Sequence, residues 1–88
     1  MRTRKNLTIV VPDSPLKRGD RSLGVMYLQT ALQYIYKDKK HDCIKENGFF
    51  GPETETKIRR FQADNKIHID GRYTDLTRRV LREVLKCK

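Results

Sequence analysis

The sequence has no long hydrophobic run. No apolar stretch approaches the ~20 residues that span a bilayer, so no membrane-spanning helix is expected within these 88 residues. Near the start, Leu7–Val11 falls short of the ~7–15-residue core of a signal peptide, and no cleavage-site pattern follows it. A chain of this kind that works outside a cell is expected to be exported or released by other means, or to be part of a longer protein. Cysteine is also scarce. Cys43 and Cys87 are the only two, with neither a CxxC pair nor zinc-ligand spacing. A metal site would have to gather them with His41 and His68 from three separate regions, so no metal or other cofactor is expected. Nothing in the sequence demands or forbids a Cys43–Cys87 disulfide. There is no Ser-His-Asp arrangement and no Gly-rich phosphate loop. Asp70 and Glu53 read as turn and helix-start residues rather than as a glycosidase pair, which needs two carboxylates held about 5–9 Å apart across a cleft. These absences point away from an enzyme.

Proline (3) and glycine (5) are few, while 36% of residues are hydrophobic and 35% charged. With the apolar periodicity described below, that composition is globular rather than disordered. A chain of 88 residues fits one domain. Domains of this size bury only about 60–65% of their unfolded surface, which leaves a thin core and little room for a deep cleft. The net charge of +9 produces a field that favours polyanions: nucleic acid, anionic membrane or the anionic polymers of a bacterial wall. A solvated basic surface with no specific ligand would give the same number.

Three helical stripes are legible. Val25, Leu28, Leu32 and Ile35 recur at helical spacing behind Ser22, a good N-cap, and Tyr27, Ala31 and Tyr34 widen that face. Gly51-Pro52 opens a second helix, with Pro at a position whose N–H is unpaired anyway and Glu53 and Glu55 near the positive end of the dipole. Its stripe is Ile58 and Phe61, with Lys57, Arg59 and Arg60 outward, and Asn65-Lys66 closes it. The third helix carries Leu76, Val80, Leu81 and Val84 opposite Arg78, Arg79, Arg82 and Lys86. The expected spans are 22–36, 52–64 and 75–86. Residues 1–15 read as an N-terminal tail or linker and 16–88 as the domain. Within the former, Leu7–Val11 suits either an extended segment packed on the domain or the end of a linker.

Asn47-Gly48-Phe49-Phe50 and Asp70-Gly71-Arg72-Tyr73 form an internal echo 23 residues apart. Thr54 and Thr77, Ile58 and Leu81, and Phe61 and Val84 keep the same offset. A fixed period means one supersecondary unit used twice. Its Asx-Gly start bends the chain, its aromatic sits ahead of the helix cap as a hydrophobic staple does, and its Thr falls in the first helical turn. The fold class expected is therefore all-α: a small three-helix bundle with two related turn-helix units.

These motifs resemble the three-helix peptidoglycan-binding domain family. The family's opening Gly-Asp turn and Val-x-x-Leu-Gln helix correspond to Gly19-Asp20 and Val25 to Gln29. Its Asp-Gly-x-Phe-Gly-Pro-x-Thr motif corresponds to residues 47–54, and its Phe-Gln pair to Phe61-Gln62. Its second turn corresponds to Asp70-Gly71, Thr77 and Leu81. The likeness runs over about residues 16–85. It departs at Ser22 and Thr74, where the family often has Gly, and at Lys37–Glu46, which is longer and more charged than usual. The resemblance implies noncovalent attachment to peptidoglycan, beside a catalytic domain such as that of a wall hydrolase or endolysin. It implies work outside the cell, at the wall, in the periplasm, or at phage-driven lysis.

Candidate ligand contacts are Phe49 and Arg72, at the variable position of each turn, with Tyr73, Tyr27, Gln29 and Gln62. Aromatics suit sugar faces, Arg suits carboxylates and amides suit peptide backbone. The tyrosines equally suit the edge of the core, and the glutamines equally suit buried turns. Phe49 is expected to be more exposed than Phe50. The rival reading is a helix-turn-helix nucleic-acid binder carrying Arg78, Arg79 and Arg82. The long Asp-Gly connection between the second and third helices argues against it, since that motif uses a turn of about three or four residues.

Overall fold

A computed structural model of the chain describes residues 9–36 and 47–86. His41, Cys43, Cys87 and the charged stretch 37–46 lie outside the described residues. Three helices follow one another: α1 (Leu23–Ile35), α2 (Pro52–Asp64) and α3 (Asp75–Lys86). Their bounds fall within one residue of the sequence expectation, because the caps that define them are local. Ser22 Oγ accepts from the Val25 N–H at 3.2 Å, which satisfies one of the unpaired donors of the first turn. Gly51 and Pro52 open α2. A backbone bond from Arg78 N–H to Thr74 C=O starts α3.

The end of α2 is a Schellman motif. Lys66 takes positive φ (58°). The Ile67 N–H returns to Gln62 C=O at 3.0 Å and the Lys66 N–H to Ala63 C=O at 3.1 Å. A lysine stands there where glycine is usual.

The core holds Leu16, Val25, Leu28, Ala31, Leu32, Tyr36, Phe50, Ile58, Phe61, Tyr73 and Leu81. In α3 the first inward position belongs to Thr77, not to Leu76. Thr77 is 2% exposed and Leu76 is 46% exposed. Leu81 is in the core and Val80 and Val84 pack against it as expected; only Leu76 misses the inward face, because the first turn of α3 must present a hydroxyl there. Tyr27 likewise leaves the face that it was expected to widen and is exposed, while Ala31 is buried.

The described part of the N-terminal segment packs on the domain. Ile9 and Val11 lie against the core, and Tyr73 Oη donates to Pro12 C=O at 2.7 Å. Burial pushes the Tyr73 phenol well above its ordinary range; Arg78 draws it back in part and Asp13 adds to the rise.

One end of the bundle is a cluster of three turns. The segment from Leu16 to Ser22 runs between the two Asx-Gly turns and is paired to both. Leu16 exchanges backbone bonds with Tyr73 at 2.8 and 2.9 Å, while Gly19 donates to Phe50 C=O and Phe50 to Asp20 C=O, each at 2.8 Å. Isolated antiparallel bridges, Leu16 with Tyr73 and Arg21 with Phe49, mark the two seams.

Candidate functional site: the glutamine-locked turns

Each turn is built around a glutamine from the preceding helix. Gln29 of α1 is 1% exposed. Its Nε2 donates toward Asn47 Oδ1 (3.2 Å), Phe49 C=O (2.9 Å) and Thr54 Oγ1 (3.0 Å). Its Oε1 accepts from Gly48 N–H at 2.9 Å. Gln62 of α2, also 1% exposed, repeats the pattern with Asp70 Oδ1 (2.9 Å), Arg72 C=O (3.0 Å) and Thr77 Oγ1 (3.1 Å). Its Oε1 accepts from Asp70 and Gly71 N–H at 3.1 and 3.0 Å. In both units the Asx side chain also accepts from the residue two ahead, Phe49 N–H at 3.0 Å and Arg72 N–H at 2.9 Å. The echo is thus an atomic correspondence: amide, Asx, carbonyl and Thr hydroxyl occupy matching places twice.

Gly48 and Gly71 make the bend at φ 78° and 74°, where a side chain is strained. A Cβ on Gly71 would also meet Arg59 Nε and Glu55 Cγ at 3.0 Å. Asp70 feels opposing influences. Burial raises its pKa, but the Arg72 N–H bond, the Gln62 amide bond and the charges of His68 and Arg72 outweigh that and hold it below the ordinary carboxylate value.

This geometry divides the six expected contacts. Gln29, Gln62 and Tyr73 are 1% exposed, and their polar atoms are engaged inside the chain, so they build the turns and offer no free group to a ligand in this conformation. Phe49, Arg72 and Tyr27 reach solvent, but they do not form one pocket. Phe49 lines a groove of about 190 Å³ with Asn47, Gly51, Pro52 and Glu53, floored by Gln29 and Thr54. Its ring packs on Gly51, where a Cβ would come within 2.9 Å of it, and Arg21 lies 4.8 Å over its centroid. Arg72 lines a separate groove of about 240 Å³ with Leu16, Lys17, Asp20 and Thr74. Tyr27 lines neither.

Sequence reasoning placed Asp20 only in the opening Gly-Asp turn and did not single out Lys17 or Arg21. These residues lie in or beside that turn, and only its pairing with both others brings them to the grooves. Among the described residues, no three His, Cys, Asp or Glu side chains are grouped to hold a metal ion. No described helix is long and apolar enough to cross a membrane.

The sequence model of the family described as "Putative peptidoglycan binding domain" matches residues 21–81, a span that includes both glutamines and both turns. The chain belongs to the peptidoglycan-binding domain family. Among curated proteins it is similar to N-acetylmuramoyl-L-alanine amidase CwlL of Bacillus licheniformis, at 36% identity over 75 residues. The match covers 83% of this chain and 20% of that relative, so the chain spans about a fifth of the amidase's length. Among solved structures it is similar to the SleB N-terminal domain, with a TM-score of 0.73 and 25% identity over 85% of this chain and 97% of that one. The fold shared with that domain is the helical architecture described above.

Proposed function

We propose that this chain binds peptidoglycan without cleaving it and holds a partner, a wall-lytic catalytic domain, against its substrate. The observation that carries the reading is the family match over residues 21–81, which coincides with the glutamine-locked frame. Similarity to part of a protein named as an amidase supports a catalytic partner. The setting is the cell wall, reached from outside, from the periplasm or at lysis, and no cofactor is needed. Wall contact falls to the accessible residues Phe49, Arg72 and Tyr27.

The test is sedimentation of the purified chain with insoluble peptidoglycan across a salt series, with duplex DNA run in parallel. Nonspecific attraction from the net charge of +9 fades as the Debye length shrinks from about 10 Å at 0.1 M salt to about 3 Å at 1 M, whereas a shaped site persists. Retention at physiological salt on wall stripped of anionic polymers is expected. Loss of wall binding at moderate salt, together with sequence-selective duplex binding, would replace this reading with the helix-turn-helix alternative. The ten residues 65–74 between α2 and α3 speak against that outcome.

A further inference from the structure

The groove between the second turn and the Pro15–Asp20 segment contains an arginine that the fold holds in place but does not use. Arg18, Arg59, Arg60, Arg78 and Arg79 each lie within ion-pair distance of a carboxylate. Arg21 is stacked on Phe49. Among the described residues no carboxylate forms an ion pair with Arg72, although its charge helps to lower the Asp70 pKa.

The Arg72 backbone is nevertheless fixed on both sides. Its N–H donates to Asp70 Oδ1 at 2.9 Å and its C=O accepts from Gln62 Nε2 at 3.0 Å. The next residue, Tyr73, is paired with Leu16 through two backbone bonds. The held backbone loses little further entropy when an anion binds, and the planar fork of the exposed, unpaired guanidinium matches a planar anion.

The groove's other charged groups narrow the ligand. Lys17 and Asp20 share the lining and lie 3.6 Å from each other, so they largely balance. Arg72 is left as the one charge in the lining without an ion-pair partner among the described residues. Asp20 on the rim disfavours a polyanion and tolerates one isolated carboxylate. Thr74 shares the lining, and its hydroxyl is a polar group of the right kind to assist a carboxylate.

We propose that this groove is a carboxylate subsite, with Arg72 as the recognising cation. It would take a free carboxylate of the wall's peptide stems, an assignment that rests on the peptidoglycan-binding reading above. Matching the two turns gives each variable position its own task. Phe49 supplies an apolar ring in the first unit, and Arg72 supplies charge in the second.

The experiment compares binding of the chain to native insoluble peptidoglycan with binding to the same material after its carboxylates are amidated with carbodiimide and methylamine. Wild type, Arg72→Gln and Arg72→Lys are each measured. Every hydrogen bond that holds the turn uses the Arg72 backbone, so both variants should melt as wild type does. Amidation is expected to weaken wild type about tenfold, as loss of one exposed charge-assisted contact would. Arg72→Gln should lose the same factor on native wall and be insensitive to amidation, with Arg72→Lys between. An N-acetyl dipeptide with a free C-terminal carboxylate should shift the Arg72 and Thr74 amide resonances, and its C-terminal amide should not.

Equal binding to native and amidated wall would overturn the subsite while leaving wall binding intact. Displacement by soluble polyphosphate but not by the dipeptide would reassign the groove to phosphate polymers and also overturn it. Binding to neither wall preparation would remove the underlying function with it.

Discussion

Replacing Gln62 with leucine removes the amide that organises the second turn while nearly keeping the side-chain volume. Five contacts disappear: three accepted by Asp70 Oδ1, Arg72 C=O and Thr77 Oγ1, and two donated by the Asp70 and Gly71 N–H groups. The contacts of Thr77 Oγ1 and Gly71 N–H with Gln62 are buried. Each buried polar group left without a partner costs about 1–3 kcal/mol. The other three are partly exposed and can recruit water at smaller cost. The expected loss is about 3–5 kcal/mol, a large share of the roughly 4–13 kcal/mol that holds a domain of this size. Urea unfolding followed by circular dichroism at 222 nm would measure it, with a fall in Tm of at least about 12 °C. Gln29→Leu, which removes the equivalent amide with four contacts, should do comparable damage. Gln62→Glu should be at least as harmful at pH 7, because it keeps the acceptors but buries a carboxylate beside Asp70. Its folded-state pKa would be raised, so its penalty should shrink as pH falls toward the unfolded value near 4.3. A loss below about 1 kcal/mol for both leucine variants, with Glu83→Gln on the exposed face of α3 as the neutral control, would refute the idea that the glutamines hold the turns.

Phe50→Ala and Tyr73→Ala, at residues 0% and 1% exposed, should each lose about 3–5 kcal/mol. Phe49→Ala should lose about 1 kcal/mol, mainly its contact with Arg21; equal melting temperatures for the three would contradict the inward assignment. Lys66→Gly should raise Tm by about 2–6 °C, since glycine relieves the φ of 58° at a small entropic cost in the unfolded chain, and Lys66→Ala should give no gain. Asp70 has a lowered folded pKa, so its contribution is present above the unfolded value near 3.9 and is lost as pH falls through the folded value. Asp70→Asn should therefore fold at neutral pH, as Asn47 does in the first turn, and lose less stability between pH 5 and 3. Some acid sensitivity will remain through Asp75, which Arg78 holds low. Purified chain added to a wall suspension should cause no clearing, and clearing abolished by Asp70→Asn would show an activity that nothing in the turn geometry suggests.

The helices and turns could be read from sequence because their determinants are local: a serine cap, a Gly-Pro start, Asx-Gly bends and apolar residues at helical spacing. The division of labour among the candidate contacts was less legible, although part of the signal was present. Gln29 follows Val25 by four residues and precedes Leu32 by three, and Gln62 follows Ile58 by four, so both occupy core register. A glutamine there must find partners inside, and the Asx-Gly turns supply them. Leu76 and Thr77 show the opposite failure. Hydrophobicity favoured leucine for the inward place, but the Gln62 amide requires the threonine hydroxyl, and a hydrogen-bond demand from another helix is invisible to periodicity. The grooves were invisible for a related reason. They depend on Leu16–Ser22 pairing with turns some 30 and 55 residues away, which no local pattern encodes.

The same architecture separates what each turn displays from what holds it in place. In each unit the glutamine bonds the Asx side chain, the Thr hydroxyl and the backbone of the variable residue, and leaves that residue's side chain out of the lock. One unit carries Phe49 at that place and the other Arg72, on backbones held by the same set of atoms. Phenylalanine and arginine share neither charge nor polarity, so the frame must be indifferent to what it displays. Exchange of the two residues should therefore leave the melting temperature within a few degrees of wild type, apart from the lost Arg21–Phe49 stacking worth about 0.5–1 kcal/mol. Wall binding should change by more than stability does. A collapse of the fold on exchange, with Gln29 and Gln62 intact, would mean that these two side chains support the turns rather than merely standing on them.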